Sequence, residues 1–368
     1  MALRKPSKEV KNFDYPAKFF STWVPMIDKN KGFFENIAIM FQGEVDDNEV
    51  YVYEGYFRYG GGKNCKFPIP EGAEEAYSEF QMLTLVPKDG NPGMHPDNKY
   101  YSTDLTPDPR VTKWEVIESE DKVEWILGES KYTMAPPYFY TEGKLGGLER
   151  EGVFIPYEDQ VTIPVPYDMA GQAQAGNYTI KGTWEGTVTI GGVKKEVKNA
   201  TGELIYILLG NDYDNYQPAS SVTYYYWIQL CSEKYSQYMF FGDHKEGLQN
   251  TLDIHVDGQP IHFEQGQYNI VDTEFYEEKA MRTSWPCRWT ITAENEHGKL
   301  EMDLRARGRA HFQTESNTGS TYYTGYAVHA NGTFTYPDGR VFKIDDVMGY
   351  VERGTPMIEF TPPESWDW

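Results

Sequence analysis

Apolar and aromatic positions in this chain recur at alternate residues over short runs, and the runs are separated by Gly, Pro, Asn and Asp. That period of two predicts β-strands joined by turns. Strand patterns cover Phe33–Phe41, Val50–Tyr59, Lys113–Glu118, Lys122–Glu129 and Lys131–Ala135 in the first third. They resume at Trp184–Ile190 and Glu196–Leu209, then at Tyr224–Leu230, Trp285–Ile291, Gly298–Met302, Tyr322–Val328 and Gly349–Arg353. Residues 1–30 read as an irregular N-terminal arm. Ala73, Ala76, Tyr77 and Phe80 could share one helical face, so a short helix is expected over Glu71–Phe80. Residues 86–112 and 148–175 read as long loops, and Pro136-Pro137 as a barrel rim or strand crossing. Ile190-Gly191-Gly192-Val193 is a two-residue hairpin signal.

The meander that ends in Tyr224–Leu230 and the one that ends in Gly349–Arg353 are alike. Each carries an aromatic-Gly-apolar strand near its end. The fold class expected is all-β, with two antiparallel barrels in tandem: residues 1–215, including the arm, and residues 216–368. Barrels of this kind enclose or border hydrophobic pockets.

Composition agrees and narrows the function. The 368 residues leave room for two cores, and 29 Tyr, 34 Gly and 22 Pro suit twisted strands and turns. A formal charge of -22 repels nucleic-acid backbones and anionic membranes, so neither is an expected partner. Cys65, Cys231 and Cys287 are scattered, which argues against a disulfide framework or a zinc site. Three glycosylation sequons mark turns. The first residues lack an apolar targeting core and no run is long and apolar enough to span a bilayer, so a cytoplasmic protein without membrane insertion is expected.

Few motifs carry chemistry. Asp212 and Asp214 begin like a calcium loop but lack the later ligands. Tyr59-Gly60-Gly61-Gly62-Lys63 lacks the phosphate-loop spacing and reads as a hairpin tip. The seven His never stand at metal spacing, although His255 and His262 could approach across the Asp257-Gly258 turn; no metal and no cofactor are expected. There is no GxSxG. Tyr224-Tyr225-Tyr226-Trp227 is more distinctive, because on a strand Tyr225 and Trp227 share one face and Tyr224 and Tyr226 the other. Either face could be ordinary packing or a stacking wall for an apolar ligand. Glu352 ends an apolar strand beside Arg353. It is either half of a rim salt bridge or a carboxyl whose pKa burial raises, as a proton donor needs.

Several of these segments together resemble the lipocalin-like AttH/carotenoid 1,2-hydratase (hydroxyneurosporene synthase) superfamily. They are Pro136-Pro137-Tyr138 leading to Gly143 and Gly146, Trp184–Ile190, and Tyr226-Trp227-Ile228-Gln229-Leu230. Trp285-Pro286-Cys287-Arg288-Trp289 and Gly349-Tyr350-Val351-Glu352 fit best. The resemblance runs over about residues 110–353. It implies two calycin-type barrels and a hydrophobic pocket at their junction for isoprenoid, polyketide or phenolic molecules. It also implies hydratase or fungal Diels–Alder cyclase chemistry. Carotenoid hydratases carry Trp-Met-Asp-His-Glu-Trp where this chain has Ile205-Tyr206-Ile207-Leu208-Leu209-Gly210. Their Tyr-Trp-Glu-Gly stands here as Tyr322-Tyr323-Thr324-Gly325. The lost carboxyls favour catalysis by shape and a few hydrogen bonds. The candidates are then Glu352, Tyr226 and Asp212 for catalysis, and Tyr225, Trp227, Trp184, Trp285, Tyr323 and Gln229 for substrate binding. The expected function is a cofactor-free cyclase, isomerase or hydro-lyase acting on a hydrophobic small molecule. The alternatives are a non-catalytic hydrophobic-ligand carrier and a carbohydrate-active β-protein.

Overall fold

A computed structural model describes residues 4–61, 69, 71–88, 99–102, 114–145, 148–162, 167–169, 173–210, 222–244, 250–278, 283–316 and 319–357. The described chain is strand almost throughout, with three single turns of 3-10 helix in the N-terminal arm at Ala17–Phe20, Val24–Met26 and Lys29–Lys31.

The first sheet contains β1 (Phe33–Val45), β2 (Asn48–Gly60), β3 (Glu75–Pro87), β4 (Lys99–Ser102), β5 (Glu115–Glu118), β6 (Val123–Leu127), β7 (Ser130–Ala135), β8 (Tyr138–Leu145), β9 (Leu148–Thr162), β10 (Tyr167–Met169), β11 (Ala173–Ile190) and β12 (Val193–Gly210). The second contains β13 (Val222–Cys231), β14 (Tyr235–His244), β15 (Thr251–Val256), β16 (Gln259–Phe263), β17 (Tyr268–Glu278), β18 (Thr283–Asn295), β19 (Gly298–Ser316), β20 (Gly319–Thr335) and β21 (Val341–Met357). Both sheets follow one scheme. The first strand of each lies between the second and the last: β1 pairs with β2 and β12, and β13 pairs with β14 and β21. Each antiparallel sheet curls around its own core, giving two tandem lipocalin-like barrels. The expected boundary at residue 215 lies outside the described residues.

Large rings fill both interiors. The first holds Trp125, Trp184, Tyr56, Tyr132, Tyr178 and Tyr206, and the second holds Tyr226, Trp289 and Tyr326. The N-terminal arm stops one end of the first barrel. Phe13, Phe19, Phe20 and Trp23 pack on its core, the Trp125 indole donates to the Phe20 carbonyl at 2.9 Å, and the Trp23 amide donates to the Tyr206 hydroxyl at 2.8 Å.

Two sequence expectations are corrected. The expected helix over Glu71–Phe80 is largely strand: β3 pairs along its whole length with β2, Phe80 opposite Gly55. Its period of two is blurred because both of its faces are buried. Leu83 enters the first core, while Ala76, Phe80 and Met82 meet the second barrel. The expected loop over 148–175 is mostly β9, β10 and the start of β11. His255 lies opposite Pro260 and His262 opposite Asp253, which sets the two His diagonally on one face, with His262 Nδ1 2.7 Å from Asp253 Oδ1. The Gly191-Gly192 turn is as expected. Both residues have positive φ, 60° and 79°, as a tight hairpin turn needs. Pro136-Pro137, joined by a cis peptide, makes the β7–β8 turn.

Candidate active site at the barrel junction

Strands β13, β21 and β20 lie side by side, and their register sets nine residues of one face in a three-by-three array. Tyr225, Gly354 and Tyr323 form one row; Trp227, Glu352 and Gly325 the next; Gln229, Tyr350 and Ala327 the third. This face looks away from the second core and onto β1, β2, β3 and β12 of the first barrel. Met40, Tyr53, Phe57, Tyr59, Phe80, Met82 and Ile205 pack there against Tyr350, Trp227 and Tyr323. Two glycines shape the array. A Cβ on Gly354 would sit 2.1 Å from the Tyr225 ring. One on Gly325 would sit 2.3 Å from the Met82 methyl and 2.7 Å from the Tyr350 hydroxyl. The rings therefore lie across the glycine rows and reach Glu352.

Glu352 is at the centre of the array and only 8% exposed. The Tyr225 hydroxyl donates to Oε1 at 2.8 Å and the Tyr350 hydroxyl to Oε2 at 3.2 Å. Tyr53, from the first barrel, packs edge-on against Tyr350 with ring centroids 5.4 Å apart, and its ring is 6.1 Å from that of Trp227. Tyr323 meets Tyr225 edge-on at 6.3 Å, and Phe240 stacks on Tyr225 at 5.3 Å. Burial pushes the Glu352 carboxyl up to about 7, against the opposing pull of the two phenol hydrogen bonds. Burial also raises Tyr53, Tyr225 and Tyr350 well above the ordinary tyrosine value, so they remain neutral donors.

What sets Glu352 apart is the missing cation. Glu35 faces Arg58 at 3.6 Å, Glu49 faces Arg307 at 3.3 Å, Glu54 faces Arg150 at 2.7 Å and Glu203 faces Lys181 at 3.6 Å. Among the described residues Glu352 has hydrogen bonds only from phenols and no ion-pair partner. Its neighbour Arg353 points the other way, over the Tyr226 ring inside the second barrel.

The sequence candidates divide by face. Glu352, Tyr225, Trp227, Tyr323 and Gln229 come together. Gln229 also serves the packing of the junction: with its amide turned to satisfy both ends, its oxygen accepts from the Trp227 indole at 3.0 Å and its nitrogen donates to Glu203 at 2.8 Å. Tyr226 is corrected as a partner of Glu352. It points into the second barrel and donates to Asp272 at 2.6 Å, because adjacent residues of a strand face opposite sides. Trp184 lies in the first core, stacked on Phe41 at 4.1 Å with its indole donating to Thr141 at 3.2 Å. Trp285 lies in the second core. Neither reaches the junction. Asp212 lies outside the described residues. Tyr53 and Tyr350 were missed. Tyr350 could have been found as the residue two before Glu352 on the same strand, whereas Tyr53 comes from the other barrel and carries no local signal.

A narrow crevice bordered by Tyr53, Met82, Ala327 and Tyr350 has room for about one water molecule. Trp227 and Tyr323, both half-buried, border Glu352 on its more exposed side. Among the described residues no three His, Cys, Asp or Glu side chains gather as metal ligands, and no helix is long and apolar enough to cross a membrane.

No family model matches the sequence, and no curated protein matches it. Solved structures do match the fold. An AttH-like protein of Nitrosomonas europaea superposes with a TM-score of 0.57 at 12% identity, over 96% of this chain and 98% of that one. CghA superposes with a TM-score of 0.52 at 11% identity, over 88% of each chain. Kievitone hydratase from Nectria haematococca gives 0.49 at 13% identity, over 88% of each. At such identities the likeness is one of fold. The chain therefore carries the two-barrel fold of the AttH-like proteins, the superfamily that its sequence motifs resemble.

Proposed function

We propose that the protein is a cofactor-independent enzyme of the cyclase, isomerase or hydro-lyase type, acting on a hydrophobic small molecule at the barrel junction. Glu352 holds or protonates the polar end of that molecule. Tyr225, Tyr350 and Tyr53 orient it, and Trp227 and Tyr323 supply the apolar wall. The observation that carries this reading is a buried carboxyl raised to about 7, hydrogen-bonded by two phenols and without a basic partner among the described residues. A group that titrates near neutrality can give or take a proton at working pH. The filled interiors of both barrels speak against a ligand in either lumen. The crevice is small, so a ligand enters by displacing side chains. Met82, unbranched and packed over Gly325, is the most adaptable of them.

The test is a panel of unsaturated isoprenoid, polyketide and phenolic compounds incubated with the wild type and with Glu352→Gln, with products followed by mass spectrometry. The reading expects conversion by the wild type and a fall of about 10²–10⁴ in rate for the variant, the usual worth of general acid–base catalysis. Tight binding with every compound returned unaltered would replace the enzyme by a carrier.

A further inference from the structure

The phenol-lined carboxyl at the junction also specifies the charge of what it binds. The four other buried Glu each have a basic partner within 3.6 Å, and Glu352 has none among the described residues. An ionised carboxylate offers about four lone-pair positions. Tyr225 and Tyr350 take one on each oxygen, which leaves both oxygens able to accept more. Five electron-rich rings surround it: Tyr225 and Trp227 on β13, Tyr323 on β20, Tyr350 on β21 and Tyr53 on β2. Aromatic rings attract cations through their quadrupoles, and most strongly where water is excluded. No Lys or Arg among the described residues pairs with Glu352 to welcome an anion. The overall charge of -22 also draws cations toward the surface and repels anions.

We infer that the junction takes a ligand whose polar end is an organic cation, an ammonium group on a hydrophobic body, which becomes the counter-charge that Glu352 lacks. This inference rests on the reading of the junction as the ligand site and adds a preference to it: hydrophobic molecules with an amine end over their carboxylate, phosphate or neutral counterparts. Among the described residues, the titratable groups facing Glu352 from the surrounding strands are Tyr53, Tyr225, Tyr323 and Tyr350. All of them are phenols, so the ionisation of Glu352 itself sets the pH dependence of cation binding. Affinity rises as pH passes upward through neutrality.

The experiment is calorimetric titration of the full chain with benzyltrimethylammonium, whose charge does not titrate, and with neopentylbenzene, its uncharged carbon isostere. At pH 8 the cation should bind about tenfold more tightly than the isostere, a difference within reach of a desolvated cation–π and carboxylate contact. The preference should shrink at pH 5, where Glu352 is protonated. Glu352→Gln should remove it, so that the variant binds the two probes alike. Trp227→Phe, an independent variant that keeps an apolar wall, should weaken the cation severalfold more than the isostere. Equal binding of the two probes at pH 8, or a preference that survives Glu352→Gln, would overturn the inference and leave the junction as a site for neutral ligands. Binding of neither probe to the wild type would sink the inference together with the junction reading itself.

Discussion

Two buried carboxyls lie on the same junction and are both pushed up to about 7 by burial, yet their surroundings differ. Glu203, on β12 of the first barrel, faces Lys181 at 3.6 Å and the Gln229 amide of the second. The Lys181 ammonium crosses the junction to donate to the backbone carbonyls of Leu230, at 3.2 Å, and Gln237. Next to it the Cys231 thiol donates to the Gly202 carbonyl at 3.2 Å. Lys181, Gln229 and Cys231 each bond across to the other barrel, so this end acts as a latch. Among the described residues Glu352 has phenols and no cation. The lesson is that a raised pKa does not by itself mark a functional carboxyl. The composition of the shell around it separates a structural ion pair from a group poised for chemistry.

The sharpest way to break this comparison is at the latch. Lys181→Met strands Glu203 without its cation in a buried interface and removes two cross-barrel hydrogen bonds. The expected loss is about 3–5 kcal/mol of stability in urea unfolding at pH 8. A loss below about 1 kcal/mol would mean that the latch is incidental. Trp184→Ala empties a site fully enclosed in the first core and should cost about 3–5 kcal/mol, while any ligand still bound by the folded fraction keeps its affinity, since Trp184 does not face the junction.

Stability against pH comes next. The folded protein keeps the Glu352 proton up to about 7, whereas the unfolded chain releases it near the ordinary 4.5. The stabilisation from this carboxyl is therefore complete below about pH 4.5 and is lost as pH rises to 7. At about 1.4 kcal/mol per unit, this amounts to about 3 kcal/mol. Glu203 behaves in the same direction. Glu352→Gln should remove its share, so the variant's melting temperature should decline less between pH 5 and 8 than that of the wild type. Parallel declines would show that Glu352 is already ionised at pH 5. The smallest effect expected is from Tyr226→Phe. It removes the bond to Asp272 inside the second barrel and should cost about 1–2 kcal/mol with no change in kcat or KM, because the ring faces away from Glu352. A large loss of kcat would restore Tyr226 to the site.

Much of this arrangement was legible in the sequence, and the failures have physical causes. The alternation at Tyr225-Tyr226-Trp227 and Gly349–Arg353 gave strands β13 and β21 and the face that carries Glu352. It could not say which face was core, since aromatic residues occupy both. Tyr226 was therefore attached to the wrong side. β3 escaped because the second barrel covers the face that would otherwise be polar, which erases the period of two. Tyr53 and the bonds from Lys181 to Leu230 and Gln237 belong to a contact between barrels, and a single sequence does not encode such pairings locally. Trp184 and Trp285 looked like ligand walls because large aromatic side chains serve cores and pockets alike.

Glu352 stands at the centre of the site as a neutral-range carboxyl without a counter-charge among the described residues. Infrared difference spectroscopy, wild type minus Glu352→Gln, tests it most directly through the carbonyl stretch of the protonated acid, and it needs no substrate. The account predicts a protonated-carboxyl band that is present at pH 5, absent at pH 9 and half lost near pH 7, and that the variant lacks. A band already gone at pH 5 would contradict it, because Glu352 would then be an ordinary ionised carboxylate with a partner the account does not contain.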